Sequence, residues 1–410
     1  MSSEVGRRIA FTLGALLVFR LGTFIPLPGI DTAVWNRAFG AGAGSILDLA
    51  DMASGGGARR LAIFALGILP YITAAVLMQL ASIGWSRLRA LSAAGDRGRD
   101  KVVAYTLYLT ILFTAFQAYG IALALEGISG LVPRPGILFE LSTVLTLTAG
   151  TMLLIWLSNL ITARGIGNGL ALMLAVGFVT SLPPEIAGGL VKFNRGVVSA
   201  DMIALSLALA AVIVALIAFV EGARRPIEVD YPKQTIGGTT LESRSAQLML
   251  KINSAGLIPT VIASWSIGLA LLAVILILGA DSPIVHQLAH GRPLFMILFA
   301  VLIFLFTLFY TAFVLDPEKA SKTLKQHGGT LRGIAAGEPT AAYLDEVVSR
   351  VTLIGGVYLA LVFVVPELLV SYFGLPFYLG GAPFLLVVCA TLDIGAQVRQ
   401  QAAVNVRGPS

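Results

Sequence analysis

The chain contains a single cysteine, Cys389, in 410 residues. One thiol excludes an internal disulfide and a cysteine-based metal cluster, and in its apolar run Cys389 reads as a small packing residue. Charge is also scarce: Asp, Glu, Lys and Arg make up 12% of the chain against 57% hydrophobic residues, about half the charged share of a soluble domain. A soluble fold is thereby excluded, and lipid is the solvent for most of the sequence. Histidine is limited to His286, His290 and His327, which fall in loops without metal-ligand spacing. No HExxH pattern, nucleophile elbow or phosphate-binding glycine loop occurs. An intramembrane protease, lipase or ATPase has nothing to rest on, so the chain is expected not to be an enzyme and to need no cofactor. Basic residues exceed acidic ones by 28 to 22, yet they sit in short clusters between apolar runs, without interleaved aromatics. That pattern sets membrane topology and does not read a nucleic-acid sequence.

What the chain has in quantity is long apolar runs, and each span of a bilayer core needs roughly 20 such residues. Windows near 9–28, 61–83, 103–126, 144–163, 168–188, 201–221, 254–279, 293–315, 351–372 and 377–398 satisfy this. They predict an all-α polytopic membrane protein with about ten transmembrane helices. Met1 to Gly6 is short and polar before Arg7 and Arg8, with no small-residue cleavage site in the following run, so a retained first span is expected. Basic groups recur at Arg7 and Arg8, at Arg87 to Lys101, at Arg224, Arg225, Lys233, Arg244 and Lys251, and at Lys319, Lys322, Lys325, Arg332 and Arg350. All fall on one side, whereas the opposite connections carry only scattered residues such as Arg37, Arg134, Lys192, Arg195 and Arg292. The positive-inside rule then places both termini and the basic loops, near 222–253 and 316–350, in the cytoplasm.

The segment 29–60 breaks the pattern. Gly40 to Gly44 and Ser54 to Gly57 bracket a short amphipathic piece, Ser45 to Ala53, too short to span. It reads either as a re-entrant element, which requires a protein-lined or watery cavity, or as an external loop on the surface. Helix centres carry almost no ionisable residues, which counts against a secondary transporter with midplane sites. Arg20, toward the outer end of the first span, and Asp393, toward the inner end of the last, are expected to snorkel to the interface. A pore with apolar walls needs no charges, because a hydrophobic constriction gates by dewetting.

Five stretches converge on one family. FRLGTFIPLPGID (Phe19 to Asp31), IFALGILPYI (Ile63 to Ile72), RGIGNG (Arg164 to Gly169), AGLIP (Ala255 to Pro259) and GEPTAAYL (Gly337 to Leu344) occur in order along nearly the whole chain. In these the sequence resembles the SecY family of protein-conducting channels (SecY/Sec61-alpha). The resemblance implies two inverted five-helix halves, 1–190 and 191–410, around a central pore in the bacterial cytoplasmic membrane. It implies an aliphatic pore ring at Ile68, Ile72, Leu170, Leu174, Val261 and Leu386, and a plug at Ser45 to Arg60, carried by Ser45, Ile46, Leu47, Leu49 and Met52. It implies a lateral gate on which Thr73, Gln117 and Ser264 are candidate polar residues; for the two hydroxyls a bond back to their own helix is the plain alternative. The implied partners are small SecE-like and SecG-like subunits, a SecA motor or a ribosome docking on the basic loops, unfolded preproteins and membrane lipids. One departure stands out: the family carries an Arg where this chain has Ala335, three residues after Arg332. That change, with the acidic Glu221, Glu228, Asp230 and Glu242 in the earlier loop, leaves a divergent accessory channel as the alternative function.

Overall fold

The computed structural model describes residues 3–39, 51, 54–231, 234–236, 239–241, 244–279, 282–288, 291–375 and 380–407. Their elements, in chain order, are α1 (Ser3–Gly22), α2 (Thr32–Phe39), α3 (Leu69–Gly84), α4 (Ser86–Ala93), α5 (Asp96–Glu126), α6 (Ile137–Arg164), α7 (Gly169–Asn194) and α8 (Ala200–Gly222). Four strands follow, β1 (Arg224–Tyr231), β2 (Gln234–Ile236), β3 (Thr239–Leu241) and β4 (Arg244–Lys251). The remainder is α9 (Ile258–Leu278), α10 (Pro283–Gln287), α11 (Pro293–Val314), α12 (Pro317–Gln326), β5 (Thr330–Leu331), α13 (Glu338–Phe373) and α14 (Gly381–Arg407).

Among the described residues eight helices are long and apolar enough to cross a membrane, namely α5 to α9, α11, α13 and α14. α1 and the shorter apolar α3 bring the number to ten, as the hydropathy windows predict. Two of the shifted boundaries have a local cause. The first helix ends at Gly22 and not near 28, because Pro26, Pro28 and Gly29 follow, with Gly29 at φ +85°. The second begins at Leu69 and not at 61: Leu61 at φ +46° and Gly67 at φ +56° hold 61–68 in a chain of turns. Left-handed backbone cannot continue a right-handed helix, so Pro70 in the first turn of α3 marks a real start. The loop near 222–253 is also more ordered than a basic linker, since β1 and β4 pair antiparallel from Arg224↔Lys251 to Tyr231↔Arg244.

The chain falls into two compact units, 1–200 with 385–410, and 201–384. In the first unit α5 buries a narrow stripe of small residues, Gly98, Thr106, Thr110, Thr114, Ala118 and Ala122. Thr106, Thr110 and Thr114 each donate to the carbonyl four residues earlier, so their hydroxyls are satisfied without an interhelical partner. Small side chains let neighbouring backbones approach, which replaces the hydrophobic driving force that lipid removes. The second unit has its own small core where the loops meet the N-terminal part of α13. Ile227, Val229, Leu331, Leu344, Val347 and Val351 are buried together, under the sheet of order β4-β1-β5.

Candidate functional site

The turns at 61–68 are held from α6. A Cβ on Gly150 would lie 2.2 Å from the Ile63 carbonyl oxygen, so only glycine admits that approach, and the neighbouring Thr151 Oγ1 donates to the Gly67 carbonyl at 3.1 Å. This clamp places Ile68 at the N-terminal cap of α3, 2% exposed, in a cluster with Phe19, Phe64, Leu154, Ile161, Leu172 and Met173. Ile72 and Leu170 pack on the same cluster, half-buried. Leu174 is buried in α7, and Leu386 is half-buried beside Val387, which also packs there. Val261, half-buried in the first turn of α9, belongs to the other unit. The buried members of the cluster are all apolar and offer no hydrogen-bonding partner to an ion that has shed its water.

The RGIGNG stretch is pinned from three sides. Thr12 Oγ1 of α1 accepts from the buried Ile166 N–H at 3.0 Å, and Gln397 Oε1 of α14 accepts from the Gly167 N–H at 2.8 Å. Asn168 caps α7 with its own side chain, accepting from the N–H groups of Leu170 and Ala171. The Asn cap is readable from sequence. Thr12 and Gln397 lie 154 and 230 residues from their partners and give no local signal.

The expected plug residues Ser45, Ile46, Leu47, Leu49 and Met52 lie outside the described residues. Its C-terminal flank is a compact turn. The Asp51 carbonyl accepts from the Gly56 N–H at 2.8 Å and from Ser54 Oγ at 3.1 Å, while Asp51 Oδ1 accepts from the Arg59 N–H at 2.7 Å. Trp35 of α2 donates its indole N–H to the Arg59 carbonyl at 2.6 Å. Arg20 corrects the snorkelling expectation: it donates to the Gly55 carbonyl at 2.6 Å and stacks over Phe24 with Cζ 4.7 Å from the ring centre. The guanidinium therefore finds its partners in the protein. Asp393, by contrast, is exposed.

Of the three gate candidates, Thr73 Oγ1 donates to the Leu69 carbonyl at 3.1 Å and Ser264 Oγ to the Thr260 carbonyl at 2.9 Å. Both hydroxyl protons are thus spent within their own helices. Gln117 is half-buried in α5.

On the basic loops, Arg224 and Arg225 are exposed at the start of β1, Arg244 opens β4, and Lys233 lies outside the described residues. Asp316 caps α12, accepting from the Lys319 N–H at 3.0 Å, and its carboxylate pairs with Lys319 Nζ at 3.0 Å. These hydrogen bonds hold the Asp316 carboxyl below its usual range. Lys322 pairs with Glu318 at 3.6 Å, and Lys325 sits in the last turn of α12. Arg332 reaches Glu228 of β1 at 2.9 Å, which raises its already high pKa, and β5 pairs with β1 through Val229↔Leu331. Two loops more than a hundred residues apart are thereby joined. At their base Asn253 Nδ2 donates to Glu221 at 2.7 Å, and Tyr358 OH lies 3.3 Å from the same oxygen. Ala335 presents its carbonyl to Thr340 Oγ1 at 2.8 Å.

Ten helices, an apolar cluster at a glycine-clamped turn, and a core in which Asp51 and Glu367 are the buried carboxylates among the described residues define a polytopic membrane protein of the channel type. The profile of the family described as SecY matches residues 62–395. The chain belongs to the SecY family. It is 40% identical to the protein translocase subunit SecY of Escherichia coli (strain K12), over 97% of this chain and 91% of that protein. Solved structures share the fold. A SecY channel, described with a plug domain that stabilises its closed state and maintains a membrane seal, aligns with TM-score 0.66 at 17% identity, over 98% of this chain and 93% of that one. Sec61 from a canine ribosome–channel complex of the endoplasmic reticulum aligns with TM-score 0.63 at 16% identity, over 98% and 94%.

Proposed function

We propose that this chain is the protein-conducting subunit of a bacterial secretion channel. It passes unfolded secretory polypeptides across the cytoplasmic membrane and releases hydrophobic segments sideways into lipid. One observation carries the reading: Ile68, Ile72 and Leu170 meet at one apolar cluster, and all three lie inside the stretch that matches the SecY family. In this reading Leu174, Val261 and Leu386 complete a ring with them that seals by shape and apolarity, and Ser45 to Arg60 is its plug. The halves 1–190 and 191–410 part along Thr73, Gln117 and Ser264 to form the lateral gate. With their protons already bonded, Thr73 and Ser264 contribute as acceptors and by their small size, and Gln117 is the donor.

The driving force comes from partners. SecE-like and SecG-like subunits assemble with the chain in the membrane, and a SecA motor or a ribosome docks on the cytoplasmic loops. The support for docking is a firm platform: the two loops share one hydrophobic core and one sheet, and display Arg224, Arg225, Lys319, Lys322, Lys325 and Arg332. Exposed cations on a fixed surface steer and orient an acidic or RNA partner. Both termini lie in the cytoplasm. Ala335 and the engagement of Arg332 by Glu228 favour one second reading, an accessory channel with restricted substrates or another motor. Depletion in the source cell separates the two: bulk secretion stops if this is the main channel and continues if it is accessory. Purified chain that copurifies with no small subunit, and conducts no preprotein with any motor, would overturn both.

A further inference from the structure

Arg20 is a charge in the first helix that the proposed pore, gate and docking loops leave without a task. Its surroundings are specific. The guanidinium donates to the Gly55 carbonyl at 2.6 Å and sits 4.7 Å from the Phe24 ring centre, and Arg60, from the other end of the 54–60 turn, sits 4.4 Å from the same ring. Arg60 also donates to the Gly56 carbonyl at 3.2 Å, so two successive carbonyls each receive one guanidinium. Gly55 at φ +68° and Gly56 at φ +86° occupy the left-handed region. A Cβ on Gly55 would meet the Phe19 ring at 3.1 Å, which keeps the turn close to α1.

The turn closes on itself without Arg20. The Asp51 and Ser54 side chains and the Asp51 carbonyl supply its internal hydrogen bonds, through Arg59 N–H, Ala58 N–H and Gly56 N–H. Its far end is tied separately, by the Leu27 N–H to the Leu61 carbonyl at 2.8 Å and the Ile63 N–H to the Ile25 carbonyl at 2.9 Å. Trp35 holds the Arg59 carbonyl. Among the described residues Arg20 therefore supplies the external hydrogen bond at Gly55, nearest the end of the turn that leads back toward 45–53. Losing it leaves the turn folded and still tied through Trp35 and the 61–63 base, but removes the hydrogen bond that draws its Gly55 end to α1.

We propose that Arg20, with Phe24, is a positioning residue that latches the Ser54–Arg60 turn to the first helix and thereby sets how long the channel stays shut. The proposal rests on the plug reading of 45–60. Arginine suits the task because one planar guanidinium serves a carbonyl and an aromatic face at once; an ammonium is a compact point charge and holds only one of them well. If Arg20 merely snorkelled, lysine would serve as well.

The test uses the assembled complex in proteoliposomes, carrying Ala58→Cys in a Cys389→Ala background. Ala58 is 7% exposed, so its replacement thiol reports release of the turn. The readouts are alkylation by a membrane-impermeant maleimide and resting ion conductance. Arg20→Gln is expected to raise both by about tenfold, the scale of one hydrogen bond to a charged group. Arg20→Lys should fall between, and Phe24→Leu should raise both by a smaller factor. Phe24→Leu keeps the test open if Arg20→Gln fails to assemble, with assembly read from copurification and protease resistance. Unchanged alkylation in assembled Arg20→Gln and Phe24→Leu proteins overturns the latch, whatever the plug does. Raised alkylation with unchanged conductance overturns the claim that the turn governs closure and removes the plug reading beneath it, leaving Arg20 a structural tie.

Discussion

Arg332 and Glu228, 104 residues apart, form an exposed 2.9 Å ion pair that joins the loop after α12 to strand β1. A pair this exposed contributes little to stability. The shared core of Val229, Leu331 and Leu344 already holds the two loops together. What the pair fixes is the direction in which the guanidinium points. If Arg332 stands in for the arginine absent at 335, Arg332→Ala should lower SecA-driven preprotein translocation at least fivefold while leaving membrane orientation unchanged. Adding Ala335→Arg should restore it. Glu228→Gln, which frees the guanidinium without removing it, should stay within about twofold. Normal translocation by Arg332→Ala would transfer coupling to other residues and favour the accessory reading.

The proposed aliphatic seal predicts a leak. Ile68→Asn or Leu386→Asn should raise ion conductance in reconstituted membranes, because an amide at a dewetted constriction lowers the cost of hydrating it. Conductance unchanged in folded protein would remove those residues from the ring.

The clamp behind Ile68 predicts a second route to the same leak. Gly150→Ala puts a methyl carbon 2.2 Å from the Ile63 carbonyl oxygen, which a backbone atom cannot avoid without moving the turn. The expected cost is about 1–3 kcal/mol, the range for overpacking a fitted contact, read as a lower unfolding temperature in detergent together with raised conductance. A variant as stable and as tight as the parent would show that the turn relocates freely.

The pins on RGIGNG are separable from function. Thr12→Val leaves the buried Ile166 N–H without an acceptor and should cost about 1–3 kcal/mol. Thr12→Ser keeps the hydroxyl and should cost less than half of that. Equal loss in the two variants would point to the methyl contact instead of the hydrogen bond.

Asp316 predicts an acid-sensitive helix start. Its carboxyl is held below the usual range, so its contribution is present above the unfolded pKa and disappears as pH falls through the lower folded value. At neutral pH Asp316→Ala should weaken α12 by about 1 kcal/mol, seen as faster amide exchange over 317–326. Once pH has fallen below the folded pKa, so that the carboxyl is protonated, the parent and Asp316→Asn should exchange alike; a difference persisting there would refute the linkage.

Most of the spans were legible because lipid demands long apolar runs, and α8 or α11 admits no other reading. The start of α3 is not legible from hydropathy, since Leu61 to Gly67 is as apolar as the helix that follows; the local signal is Pro70, and left-handed backbone at Leu61 and Gly67 completes the stop. The hairpin did carry a signal: Ile227 and Val229 alternate with outward Glu228, the period of a strand, but basic residues around them favoured a topological loop. Ile68 and Asn168 could be found from motifs. Thr12 and Gln397 could not, because a hydroxyl or an amide in an apolar helix says nothing about which distant backbone group it will meet.

One feature of the spans bears on how the chain is made. α3, α9, α11 and α13 each carry proline in the first turn, Pro70, Pro259, Pro293 and Pro339. Proline accepts a helix running forward from it and disfavours one extending backward, through the residue before it. The upstream limit of these four helices is therefore written into the nascent chain itself. Each can take its length as it is synthesised, before the neighbours that will later surround it exist.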